Sequence, residues 1–303
     1  MAPLIPGAER RQVSIETADS GRLRLQVAEL GEGPPVLMLH GWPQHAGAWR
    51  LVAPLLAERH RVICPDLRGF GSSEAPGRGY DPETFAADAL ALLDALGLER
   101  AFLVGHDWGC AAGFVTCFMA PQRIRAFLGL SAPVPWVRPS LKLLAGAWRS
   151  WYVFAMASPL GPVALQRRPD RIAANIVRDT VHPCISREEA LGYAQSLARP
   201  DSARATQLLY RSYMRAVADA FSGDAAPRLT VPTRLLFGSQ DSFLSTEVVK
   251  GHEGHADDMS VELIEDCGHF IPEERPELVA QRALELFSSS SDPADASRRT
   301  GAP

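Results

Sequence analysis

The run Ala101-Phe102-Leu103-Val104-Gly105-His106-Asp107-Trp108-Gly109-Cys110-Ala111-Ala112-Gly113 constrains the fold more than any other part of the chain. An apolar segment of strand length leads into glycine, two residues before an aspartate, and a second glycine follows two residues after it. Small residues suited to a helix start come next. The spacing predicts a sharp strand-to-helix turn, packed too closely for a Cβ at Gly105 or Gly109, that presents the Asp107 side chain. Further apolar runs, near 22–29, 36–40, 61–65, 126–130, 233–237 and 261–264, alternate with helical stretches. That alternation predicts an α/β architecture, a mostly parallel sheet with helices on both faces. Between Pro82 and Leu96, Phe85, Leu90, Leu93 and Leu96 mark one stripe of a helix that ends at Gly97.

An aspartate with an ordinary pKa near 4 is ionised at neutral pH without help from a base, so Asp107 is a nucleophile as it stands. Attack on an ester or amide carbonyl would give an anhydride and mostly reverse. Attack on a saturated carbon with a strained or good leaving group gives a stable alkyl ester, which a second step must hydrolyse. Epoxides and alkyl halides are electrophiles of that kind. The base for the second step is offered by Val261-Glu262-Leu263-Ile264-Glu265-Asp266-Cys267-Gly268-His269-Phe270, a short strand followed by a loop histidine. Neutral imidazole at His269 could activate water. Its orienting acid is Asp241, which ends the apolar run Leu235-Leu236-Phe237-Gly238-Ser239-Gln240, in preference to Asp266. His40 and His106 are expected to be structural, bonding the loops around the site.

With His40-Gly41-Trp42-Pro43, Asp66-Leu67-Arg68-Gly69-Phe70-Gly71-Ser72-Ser73, Gly105-His106-Asp107-Trp108-Gly109, Gly238-Ser239-Gln240-Asp241 and Gly268-His269-Phe270 in this order and spacing, the chain resembles the α/β-hydrolases of the epoxide hydrolase and haloalkane dehalogenase group. The resemblance implies a nucleophile, acid and histidine triad of Asp107, Asp241 and His269. It also implies an oxyanion hole from the backbone amides of Trp42 and Trp108. An aromatic residue and then proline after His-Gly resembles epoxide hydrolases, and the halide-holding asparagine of some dehalogenases is absent at Trp42. Epoxide hydrolases of this family carry two lid tyrosines that bind the epoxide oxygen and protonate the opening alkoxide. Tyr210, followed by Arg211, matches one of them. The other position falls to Tyr152 or, as a hydrogen-bond donor only, to Trp151. Fluoroacetate dehalogenases place arginine after the nucleophile where Trp108 stands here, so a small carboxylate substrate is not expected.

The resemblance implies an epoxide hydrolase, a hydrolase acting on ether bonds, that makes vicinal diols from apolar or aromatic epoxides. The alternative is haloalkane dehalogenation by the same triad, with Trp108 and Trp151 holding halide, and a catalytically silent receptor is the remaining class. No cofactor or metal is expected, and the partners are a small-molecule substrate and water. At 303 residues and 46% hydrophobic, the chain can bury a single large α/β core with an inserted cap. A net charge of −4 gives no basic footprint for nucleic acid or membrane. The five cysteines, Cys64, Cys110, Cys117, Cys184 and Cys267, are odd in number and scattered, which favours free thiols in a reducing compartment. With no apolar leader in residues 1–11, a cytoplasmic location is expected. The oligomeric state, monomer or homodimer, has no signature. The expected layout is core over 1–132, helical cap over 133–228, core over 229–287 and a disordered tail over 288–303.

Overall fold

The computed structural model describes residues 4–137, 151–220 and 227–290. In chain order its elements are β1 (Glu9–Thr17), β2 (Gly21–Leu30), β3 (Pro35–Leu39), α1 (Ala53–Ala57), β4 (Arg61–Pro65), α2 (Pro82–Ala95), β5 (Ala101–His106), α3 (Trp108–Met119) and β6 (Ile124–Leu130). After these come α4 (Trp151–Ala157), α5 (Leu160–Arg167), α6 (Pro169–Asp179), α7 (Arg187–Leu197) and α8 (Pro200–Ala220). The chain then returns through β7 (Thr233–Gly238), β8 (Met259–Ile264), α9 (Ile271–Glu274) and α10 (Pro276–Ser289). One eight-stranded sheet results, in the order β1-β2-β4-β3-β5-β6-β7-β8. Strands β3 to β8 pair in parallel, and β1 and β2 add an antiparallel edge.

The central strands are apolar throughout because helices cover both faces of the sheet. Alternate side chains divide between two cores: Leu37, Leu39, Leu103, Phe127, Leu235 and Phe237 pack on one face. Val36, Met38, Phe102, Val104, Leu128 and Leu236 pack on the other. This is the period-two consequence of strand geometry. Strand β1 has no counterpart among the apolar runs of the sequence, for a physical reason. It lies at the sheet edge and buries only Val13 and Ile15 among polar neighbours, so no apolar run announces it.

Two further expectations are corrected. The inward stripe of α2 is Phe85, Ala86, Asp88, Ala89, Leu92 and Leu93, with Leu90 and Leu96 only half-buried. Asp88 faces inward because both its oxygens accept from the guanidinium of Arg68 at 2.6 Å. The expected disordered tail begins too early, because α10 runs through Ser288 and Ser289. Residues 291–303 lie outside the described residues.

Between β6 and β7 the described residues form five helices, α4 to α8, above the carboxyl ends of the strands. Ala173, Ile176, Ile185, Ala190, Tyr193 and Ala194 of this insertion enclose Phe270 of the core in a third apolar cluster. A buried polar cluster lies beside it. Arg50 of the core pairs with Glu273 and, at 3.0 Å, with Glu189 of α7, while Tyr193 donates to Glu273 at 2.8 Å. The Val181 amide donates to Glu274 Oε2 at 2.9 Å, and the Ser212 hydroxyl donates to the Tyr80 carbonyl. No helix among the described residues is long and apolar enough to cross a membrane.

Candidate active site

The site gathers residues that follow four strands of the sheet, β3, β5, β7 and β8. After β5 the chain turns at Asp107, whose φ of 51° lies in the left-handed region that non-glycine residues seldom adopt. The turn is possible because a Cβ at Gly109 would run into the Leu39 carbonyl, and one at Gly105 would lie 2.5 Å from the Gly109 carbonyl. Gly41 serves the same purpose from the β3 side, where a Cβ would come within 2.6 Å of Asp107 Oδ2. Held in this way, Asp107 precedes the first residue of α3, where backbone amides and the helix dipole favour negative charge. The Trp42 amide donates to Asp107 Oδ2 at 2.9 Å, and the Trp108 amide also donates to the carboxylate.

His269 follows β8 and is buried. Its Nδ1 is 2.8 Å from Asp241 Oδ2, and its Nε2 is 3.9 Å from Asp107 Oδ1. Asp241 Oδ1 accepts from the amides of Phe243 and Leu244, both at 2.9 Å, so the carboxylate is fixed at both ends. The competing acid, Asp266, is exposed and bonded to Gln240. His106 Nε2 donates to the His269 carbonyl at 2.9 Å. His40 Nε2 accepts from the Leu67 amide at 2.9 Å, and both rings are fully buried. The two histidines hold loops in place.

Burial pushes the Asp107 carboxyl up to about 6, against the opposing pull of His269 and the two amides. Burial alone would lower His269, but Asp241 and then Asp107 overcome it and hold the imidazole at about 9. The resting pair is therefore carboxylate and imidazolium at neutral pH. Neutralising Asp107 would remove one of the charges that hold the histidine up and lower its pKa.

A ring cluster faces the carboxylate from the insertion. Tyr152 of α4 stacks on Trp42 at 6.3 Å and meets Tyr210 of α8 edge-on at 5.8 Å. Tyr210 packs edge-on against Trp42 and Trp108, and its oxygen is hydrogen-bonded by the Trp108 indole. Arg211 and Gln207 of α8 donate to the carbonyls of Ala157 and Ser158 at 2.9 and 2.7 Å, tying the two tyrosine-bearing helices together. Burial raises both phenols well above the usual tyrosine range, with the Asp107 charge adding to the effect. Both are neutral donors at rest. Tyr213 also packs edge-on against Trp108 at 5.8 Å.

Of the two candidates at the end of α4, Tyr152 joins this cluster, whereas Trp151 is 65% exposed. Trp151 borders a neighbouring cavity of about 310 Å³ that shares Trp42, Tyr152 and Phe243 with the site and includes Ile172, Ile176 and Phe270. Phe243 was not singled out in the sequence, yet its ring lies 5.1 Å from His269 and 5.5 Å from Tyr152. Its place two residues after Asp241 is the one signal that could have found it. Among the described residues, no group of three or more His, Cys, Asp or Glu side chains is arranged for a metal ion. The five cysteines are free; Cys184 is half-buried and the others are buried.

Over residues 34–276 the chain matches the α/β-hydrolase fold family. A soluble epoxide hydrolase from Corynebacterium sp. (strain C12) is 31% identical over 284 residues, covering 88% of this chain and 94% of the relative. A fluoroacetate dehalogenase from Burkholderia sp. is 33% identical over 174 residues, 55% of this chain and 56% of that protein. The solved structure of the epoxide hydrolase CorEH without ligand matches with a TM-score of 0.78 and 27% identity, covering 93% of this chain and 99% of the other.

Proposed function

The chain belongs to the α/β-hydrolase fold family, and from that premise we propose that it hydrolyses epoxides to vicinal diols through an ester on Asp107. The observation that supports the reading is a buried carboxylate with an acid-paired histidine 3.9 Å away and the rings of Tyr152 and Tyr210 packed on Trp42, whose amide it accepts from.

Asp107 Oδ2 stays with the amide of Trp42, leaving Oδ1 to attack a ring carbon from the rear. The ring C–O bond breaks, and Tyr152 or Tyr210 gives its proton to the emerging alkoxide. An alkoxide is far more basic than a phenolate, so even a raised phenol transfers its proton late in ring opening. The insertion excludes bulk water, which strengthens each of these interactions. In the second step His269 takes a proton from water, and the water oxygen adds to the Asp107 carbonyl carbon. The amides of Trp42 and Trp108 receive the charge on the carbonyl oxygen; losing one such donor costs about 10²–10³-fold. The ester bond then breaks, the imidazolium protonates the departing diol oxygen, and the second water proton, left on the Asp107 carboxyl, returns to the tyrosinate and restores both groups.

A second reading, dehalogenation by the same triad, draws on the Trp42 indole N–H, which is buried without a hydrogen-bond partner among the described residues. The indoles first expected to hold halide suit it less, since Trp108 is bonded to Tyr210 and Trp151 is largely exposed. A single turnover in heavy-oxygen water, with aryl and alkyl epoxides and matched alkyl bromides, separates the readings. Diol from epoxides, with label in the Asp107 peptide, is the expected result. Halide release from bromides with intact epoxides would transfer the assignment to dehalogenation. The same reaction with Asp107→Asn is expected to fall by about 10⁴–10⁶-fold, the scale seen when a covalent nucleophile is removed.

A further inference from the structure

The insertion brings a third acidic residue to the catalytic histidine. Asp179, the last residue of α6, is 6% exposed, and its main-chain carbonyl lies so close to Gly268 that any Cβ there would collide with it. The Ser242 hydroxyl, next to Asp241, donates to Asp179 Oδ1. Asp179 Oδ2 has no hydrogen-bond partner among the described residues. The charged groups that face this carboxylate are His269 and Glu274 from the segment after β8 and Asp241 from the loop after β7, and its charge also reaches Tyr152 of α4. Burial pushes the Asp179 carboxyl up to about 7, with His269 pulling it down and Asp241 and Glu274 pushing it further up. In return, Asp179 is one of the charges that raise His269.

Leaving one carboxylate oxygen buried and unpaired is costly, and cores do not keep such a group for packing alone. The ring-opening step makes no use of it. Its closest links, to Gly268 beside His269 and to Ser242 beside Asp241, belong to the apparatus of the second step.

Resting on the two-step reading above, we propose that Asp179 is a positioning residue that acts through His269: it seats the histidine loop against the insertion and strengthens the imidazole as acceptor of the water proton. In that step a water O–H bond breaks and the proton passes to Nε2, while the oxygen bonds to the Asp107 carbonyl carbon. Asp241 and Asp179 share the imidazolium charge, and the proton then leaves with the diol oxygen.

The test follows ester formation and ester decay separately, by rapid quench and peptide mass, in the wild type and in Asp179→Asn across pH. Formation changes far less than decay, within about twofold, because Asp107 is untouched and Asp179 is only a minor one of the charges that reach Tyr152. Decay slows on the order of tenfold, part of the roughly 10²–10⁴-fold that a positioned base contributes. Removing a negative charge lowers the His269 pKa, so the rise of decay with pH moves to lower pH while its plateau drops. A purely structural role would lower the plateau without moving that rise, and this result overturns the proposal, as does an unchanged decay rate. Titration of the His269 ring by NMR needs no substrate: a lower pKa in Asp179→Asn supports the proposal and an unmoved one overturns it. If no epoxide esterifies Asp107, the two-step reading falls, and the NMR titration still decides whether Asp179 acts on His269. Should Asp179→Asn fail to fold, Ser242→Ala keeps the carboxylate but strips its donor. It favours the protonated form and shifts both readouts in the same direction by a smaller amount; no shift overturns the proposal.

Discussion

Asp107, Asp241 and His269 stand within five residues of the ends of β5, β7 and β8, each locked by main-chain or side-chain hydrogen bonds in a sheet buried on both faces. Tyr152, Tyr210 and Asp179 come instead from helices α4, α8 and α6, and they meet the strand ends through ring contacts, a shared hydroxyl and electrostatic fields. In the proposed route the first set fixes the reaction type, since its geometry follows from strand spacing. In that route the second set selects the electrophile and tunes the rate, because its members reach the reacting atoms across an interface between two layers. A change on the strand side should therefore stop a step, and a change on the insertion side should slow or redirect one.

The sharpest way to break this contrast is His269→Gln. It should leave alkylation intact and slow ester decay by about 10²–10⁴-fold, so that a covalent adduct accumulates on the Asp107 peptide and is seen by mass. Decay at the wild-type rate would remove His269 from the second step. On the insertion side, Tyr210→Phe and Tyr152→Phe should each slow ring opening by about 10–10²-fold, with the double variant losing far more than either, because each phenol can serve when the other is missing. Burst kinetics with a chromogenic epoxide measure this. Equal losses in single and double variants would show that the two phenols act as one unit and that neither can replace the other.

The pH dependence gives a finer test. In the proposed route alkylation requires ionised Asp107, and burial raises this carboxyl to about 6, so the rate of ester formation should fall as pH drops through that value. An ordinary carboxylate would hold the rate down to about pH 4. A limb near 4 in single-turnover data would show that the carboxylate is better solvated than its position implies. The smallest effect is expected from Trp151→Ala: with 65% of its surface exposed, the change should alter unfolding free energy by no more than about 0.5 kcal/mol. Leu103→Ala in the central strand should cost about 2–5 kcal/mol. Urea melts of the two variants compare them directly.

The same contrast explains what could be read in the sequence. Strand-end residues announce themselves, because an apolar run, a glycine and a reactive side chain are contiguous; Gly105, Asp107 and Gly109 need no structure to be noticed. Strand β1 gave no such signal, since an edge strand buries one face and only two of its residues. In the insertion the relevant contacts join residues far apart in the chain, such as Tyr152 to Tyr210 and Asp179 to Ser242. Helical periodicity says which side of α4 is apolar, yet it does not say which ring reaches Trp42. The choice between Trp151 and Tyr152 was open for that reason. Asp179 sits at the end of a helix with no motif around it and could not have been found at all.

The Arg50, Glu273, Glu189 and Tyr193 cluster carries a consequence for how such proteins diversify. Arg50 is 8% exposed, and its partner Glu273 belongs to the core, but Glu189 and Tyr193 are carried by the insertion. A foreign lid grafted between β6 and β7 would leave Arg50 and Glu273 facing each other without the phenol and the second carboxylate that complete the set. Lid and scaffold are thus keyed to each other by charge, so a recombined gene would have to bring Glu189 and Tyr193 along or change Arg50 and Glu273 together. Exchange of substrate range by whole-lid transfer should succeed between relatives that share this key and fail between those that do not.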